Sequence, residues 1–210
     1  MKLILALLSV GCLWAQKVTF TKTFPGSVPE YCFVQVTKDG SFTYKEAVAD
    51  DKPLQAKLTQ ADTDELFDMA AKLNYFKGNL ESGLKVANTG KKTFSYESPA
   101  GEKTETVFNY SLDLTAQHLW DRFEQIVQSE RAWIDLDRAI HFDKLGVNDA
   151  LARIEELWLN KELAAPLQFV PLLTRVATHE SFMHLARERA AKLKDEFTAP
   201  PPQPAPVPAS

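Results

Sequence analysis

Cysteine is almost absent from this chain of 210 residues, which holds only Cys12 and Cys32. Cys12 falls in the apolar run at the start, so the body of the chain keeps a single thiol. That excludes an internal disulfide framework and a cysteine-rich metal site. A surplus of positive charge is missing too. The formal net charge is −4, whereas a nucleic-acid binder ordinarily carries a basic stripe that neutralises phosphates. No apolar run after residue 14 reaches the roughly 20 residues that a membrane-spanning helix needs. A Gly-x-Ser-x-Gly elbow and a phosphate-cradling glycine loop are also lacking, and Glu81-Ser82-Gly83 is without the first glycine. The sequence therefore predicts no nucleic-acid partner, no transmembrane span, no cofactor and no metal.

What is present first is an address. Lys2 supplies a positive start, Leu3 to Trp14 is apolar apart from Ser9 and Gly11, and Ala15-Gln16 offers a small residue at the cut. That order predicts a secretory signal peptide over residues 1–15 and a periplasmic or secreted protein. A second reading takes Leu8-Ser9-Val10-Gly11-Cys12 as a lipobox, with the protein lipid-anchored through Cys12. Without residues 1–15 the chain has 195 residues and, having lost Lys2, a charge of −5. Over the full 210 residues, 45% hydrophobic and 25% charged residues suit a folded chain with a core.

Residues 16–30 read as a lead-in segment, followed by an α+β domain over 31–140. Cys32, Val34 and Val36 alternate with polar neighbours, Asp39-Gly40 marks a tight turn, and Phe42 and Tyr44 alternate in turn, which predicts a hairpin over 31–47. Thr59 is placed to cap a helix over 60–76, with Leu66, Met69, Ala70, Leu73 and Phe76 on one face. A loop with Gly78, Gly83 and Gly90 leads to a second hairpin carrying Phe94, Tyr96, Phe108 and Tyr110. Thr115 then caps a helix that runs to Trp133 and Ile134. The order ββαββα predicts an antiparallel sheet of about four strands with helices on one face. Residues 141–197 read as a helical extension with Val147, Leu151, Ile154 and Leu157 inward, interrupted by Pro166 and Pro171, and with Thr178 capping the last helix. Residues 198–210 hold six prolines and read as a disordered or polyproline-like tail. Pro201-Pro202-Gln203-Pro204 within it has the spacing of a proline-recognition motif.

The stretch 29–134 resembles a bacterial family of exported proteins known only as a domain of unknown function. The resemblance rests on Glu30-Tyr31 through Asp39-Gly40-Ser41-Phe42-Thr43-Tyr44 and on Leu58-Thr59 leading to Glu65-Leu66. It continues through the Thr93 and Thr106 strands to the helix end at Arg131-Ala132-Trp133-Ile134. It implies an exported hairpin-helix-hairpin-helix domain, and the family offers no known activity to carry over to this chain.

Candidate sites remain. His179 and His184 are five residues apart, about 140° around a helix, so they do not form a zincin pair. Asp135, Asp137, His141 and Asp143 fall together near a helix end, where charged solvation is the simple reading. Arg187, Arg189, Lys192 and Lys194 are offset by Glu188, Asp195 and Glu196. The aromatics Tyr44, Phe94, Tyr96, Phe108 and Tyr110 form either the core under the helices or an uncovered face that docks a partner. The functional expectation is an exported, non-enzymatic binding module whose partner is an envelope protein or glycan. The alternative is a hydrolase assembled from Cys32, His118, His141 and Asp143. For Cys32, sharing a strand face with Val34 and Val36, a buried inert thiol is the simpler reading.

Overall fold

The computed structural model describes residues 15–199. Residues 1–14, which hold Cys12 and all but the last residue of the expected signal peptide, and the proline-rich stretch beyond Ala199 lie outside the described residues. The chain is α+β, with one antiparallel sheet and five α-helices among those residues. None of the helices is long and apolar enough to cross a membrane.

The sheet has six strands rather than about four. They are β1 (Lys17–Thr23), β2 (Tyr31–Thr37), β3 (Ser41–Lys45), β4 (Leu54–Lys57), β5 (Lys91–Glu97) and β6 (Lys103–Phe108), arranged β4-β3-β2-β1-β5-β6. The lead-in segment thus contains a central strand. β1 pairs antiparallel with both β2 and β5, setting Phe20 opposite Val34 and Phe94, and Val18 opposite Val36 and Tyr96. The two predicted hairpins exist, yet β1 lies between them, so ββαββα is not the order. The signal of β1 is faint because only Val18 and Phe20 are apolar on its inward side, and the next inward position is Lys22. Period-two alternation gives the sheet one buried face, with Val18, Phe20, Cys32, Val34, Val36, Phe42, Tyr44 and Phe94 on it, and one half-exposed face.

Helix α1 (Gln60–Lys72) is capped at Thr59, whose Oγ1 accepts from Asp62 N at 3.1 Å, and buries Leu66, Phe67, Met69 and Ala70. It does not reach Phe76. After Leu73 the chain makes a short 3-10-type turn, Asn74–Phe76, whose φ values of 51°, 51° and 63° are left-handed. This turn drives Phe76 into the core beside Phe94 and stacks Tyr75 on Tyr96 at 4.5 Å between ring centroids.

Helix α2 (Leu114–Phe142) is longer than its sequence suggests, and its cap is Asp113 rather than Thr115: Asp113 Oδ1 accepts from Thr115 N at 2.7 Å and Ala116 N at 3.1 Å. The chain divides into two compact units within α2. The first runs to Gln55 and takes in Thr59–Trp120; the second holds Ala56–Leu58 and the residues from Asp121 on. This division falls some twenty residues before the predicted one at 140, because helical periodicity continues unbroken through 114–142 and offers no marker there.

The second unit contains α3 (Val147–Leu159), α4 (Val170–Thr178) and α5 (His184–Thr198) with the later part of α2. Leu136, Leu151, Ile154, Phe169, Leu173 and Leu193 are fully buried in its core. Pro171 occupies the first turn of α4, where its missing N–H leaves no bond unmade. Thr178 ends α4 instead of capping the last helix, and its hydroxyl donates back to Thr174 O at 2.9 Å.

Candidate functional site

Most residues singled out in the sequence have structural tasks. Cys32 is 4% exposed on the inner face of β2. A thiol reagent is therefore expected to label it only after denaturation, whereas rapid labelling of the native protein would overturn this placement. His118 is exposed on α2 within the first unit. His141 and Asp143 belong to the second unit and serve different partners. His141 Nδ1 lies 2.8 Å from Asp137 O, and its Nε2 lies 3.1 Å from Arg175 Nη1. Asp143 Oδ1 accepts from Gly146 N at 3.1 Å, at the start of α3. Asp135 and Asp137 lie inside α2 rather than beyond its end. His179 lies between α4 and α5 and contacts Ser181 Oγ, whereas His184 opens α5 and pairs with Glu188 at 3.2 Å. Among the described residues no group of three or more His, Cys, Asp or Glu is placed to hold a metal ion.

Of the candidate aromatic surface, Tyr44, Phe94, Tyr96 and Phe108 are buried and Tyr110 is half-buried. Phe94 lies within 5.0–5.8 Å of Phe20, Phe76 and Phe108, centroid to centroid. These rings make the core of the first unit and leave almost no aromatic area for docking.

The opposite, half-exposed face of the same strands has a different character. Register sets Thr43, Gln35, Thr19, Ser95 and Glu105 side by side across five strands, and next to them Lys45, Phe33, Thr21, Thr93 and Val107. Gln35 Nε2 donates to Thr19 Oγ1 at 3.1 Å, and Lys45 Nζ lies 5.6 Å from the centre of the Phe33 ring. A depression of about 320 Å³ opens here, lined by Thr19, Phe33, Gln35, Ser95, Glu97 and Lys103 among others. At its margin Glu97 takes both Lys17 at 3.5 Å and Lys103 at 3.6 Å, and Glu105 lines it as well.

A second cleft, of about 520 Å³, is lined by Thr23, Glu81, Asn88, Lys91, Val107 and Asn109. One wall belongs to the long connection between Gly78 and Gly90, which has no regular structure of its own. Asn109, just past β6, organises it. The Asn109 N–H donates to Glu81 Oε2 at 2.6 Å, its Oδ1 accepts from Thr89 N at 2.8 Å, and its Nδ2 donates to Ala87 O at 3.1 Å. The backbone N–H of Asn109 foremost, helped by those of Gly83 and Ser82 and the Ser82 hydroxyl, holds the Glu81 carboxyl below its ordinary range, against desolvation, the second-largest influence. Lys92 tethers the loop from the inner face, donating to Asn109 O at 2.7 Å and Thr89 Oγ1 at 2.8 Å. Asn109 was not legible as a site residue, because its partners lie 20 to 28 positions away. No protein-family model and no curated protein matches this chain, so the outer sheet face rests on its own geometry.

Proposed function

We propose that the protein is an exported, non-enzymatic binding module, that its recognition surface is the outer face of the sheet, and that its ligand is a glycan of the cell envelope. The row Gln35-Thr19-Ser95 beside the Phe33 ring carries this reading. A sugar presents neutral hydroxyls and apolar C–H faces. Hydroxyl and amide groups next to one aromatic ring match that chemistry, with a few placed polar groups setting orientation. Of the acidic groups lining the depression, Glu97 already engages two lysines. Export rests on Lys2, the apolar run to Trp14 and Ala15. The hydrolase alternative draws no support from Cys32, which is buried, or from His141 and Asp143, which serve separate partners.

Co-sedimentation with purified peptidoglycan sacculi tests the proposal. The wild-type protein should pellet with them. Phe33→Ala and Gln35→Ala should each weaken binding about fivefold, the effect of losing about 1 kcal/mol of contact. A wild-type protein that stays in the supernatant, or variants that bind as well as wild type, would refute it.

A further inference from the structure

In the second unit, α2 grips the connector between α3 and α4 at three nearby positions. Ser129 Oγ accepts from Ala164 N at 2.8 Å, Glu130 Oε1 accepts from Gln168 Nε2 at 2.6 Å, and Trp133 Nε1 donates to Gln168 O at 3.4 Å. The connector is under constraint, for Lys161 and Ala165 hold left-handed φ values of 61° and 47°. Non-glycine residues keep such angles only where surrounding structure imposes them. Glu130 is the unusual member of the grip. It is fully buried, and its second oxygen, Oε2, has no hydrogen-bond partner.

We propose that Glu130 is a protonation-controlled latch on residues 160–169: as the neutral acid it holds Gln168 and the connector against α2, and as the carboxylate it admits water to Oε2 and releases them. A neutral carboxyl tolerates one unsatisfied oxygen at modest cost. A buried anion with a single amide donor does not, and hydrating it requires the connector to move away. Burial raises the Glu130 carboxyl to about 7, with the Gln168 hydrogen bond opposing the rise. Charged side chains on the elements of this unit include Arg131 on α2, Glu155 on α3, Lys161 and Glu162 in the connector, Arg175 on α4 and Arg187 on α5. None of them forms an ion pair or hydrogen bond with Glu130, so no neighbouring charge stabilises the carboxylate in place.

Hydrogen exchange of the full chain, normalised for the intrinsic pH dependence of exchange, reads the latch directly. Between pH 5 and pH 8 the protection of residues 160–169, Ala164 above all, should fall by about tenfold or more in the wild-type protein. That follows from a tenfold ratio of ionised to neutral acid one pH unit above its midpoint. Glu130→Gln should keep the connector protected at both pH values. A wild-type connector equally protected at both, or a Glu130→Gln connector that loosens just as much, would overturn the proposal. Independently of any variant, the Glu130 carboxyl carbon followed by NMR should titrate with the same midpoint as the loss of protection. A midpoint below pH 5.5 would also overturn it.

Discussion

Glu130→Gln should raise stability at pH 8 by about 3 kcal/mol while leaving stability at pH 4 nearly unchanged. In the folded chain this carboxyl titrates at about 7 instead of its ordinary 4.5, with burial as the first cause. The folded state therefore retains a proton that the unfolded state has already released. Stability contributed by that proton is complete below about pH 4.5, is lost as pH rises towards 7, and stays lost above it. At about 1.4 kcal/mol per pH unit, the window amounts to about 3 kcal/mol. Glutamine has the same shape, accepts the same bond from Gln168 Nε2 and does not ionise. Its own amide group faces the site where Oε2 already lacks a partner, so it adds little cost beyond that of the neutral acid. Denaturant unfolding at pH 4 and pH 8 measures the effect, and absence of any gain at pH 8 would show that Glu130 ionises freely in the folded state. The size of the gain also bears on the latch. If the connector opens to relieve the charge, the penalty cannot exceed the cost of opening. A gain well below 3 kcal/mol together with rapid exchange at Ala164 would then place that cost near the measured value.

Glu130 was readable in part. It lies four residues after Ile126 and three before Trp133, on the apolar stripe of α2, where a carboxylate is out of pattern. The sequence alone does not show Gln168 reaching it across 38 positions. Elsewhere, legibility followed the range of the signal. The β2–β3 hairpin was plain because Asp39-Gly40 is a local instruction, and Gly40 takes φ 88° as such a turn requires. The α3 stripe was plain because Val147, Leu151, Ile154 and Leu157 repeat at helical spacing. β1 was obscured because two inward apolar residues do not distinguish a short central strand from an extended lead-in. Thr115 and Thr178 misled for a related reason: threonine before a helical stretch suits a cap, yet Asp113 lies two residues earlier and Thr178 finds its acceptor within α4. The outer sheet face was implicit in the same alternation that marked the core, since Thr19, Phe33, Gln35 and Ser95 are the residues between the inward ones.

Phe94→Ala should destabilise the protein by about 3–5 kcal/mol, the range for truncating a large buried aromatic side chain. Phe94 is 0% exposed, on a strand paired on both sides, and its ring meets Phe20 at 5.8 Å, Phe76 at 5.3 Å and Phe108 at 5.0 Å. Phe33→Ala, on the outer face, should cost about 1 kcal/mol because its ring is already in contact with solvent. The contrast separates the two faces: a docking residue loses binding with little loss of stability, and a core residue does the reverse. Denaturant midpoints for both variants check it, and a Phe94→Ala cost near that of Phe33→Ala would mean that the inner face is not the core. Phe94 has a further task. The left-handed turn at Asn74–Phe76 costs about 1–2 kcal/mol per residue in backbone strain. Burying Phe76 against Phe94 is among the contacts that offset it. Removing Phe94 should therefore let the turn relax, so that Phe76→Ala costs less in the Phe94→Ala background than alone. The coupling in that double-mutant cycle should be about 1 kcal/mol or more, as for residues in direct contact. Additive costs would mean that the turn is held by other contacts, with the hydrogen bond from the Thr104 hydroxyl to Tyr75 O the first to examine.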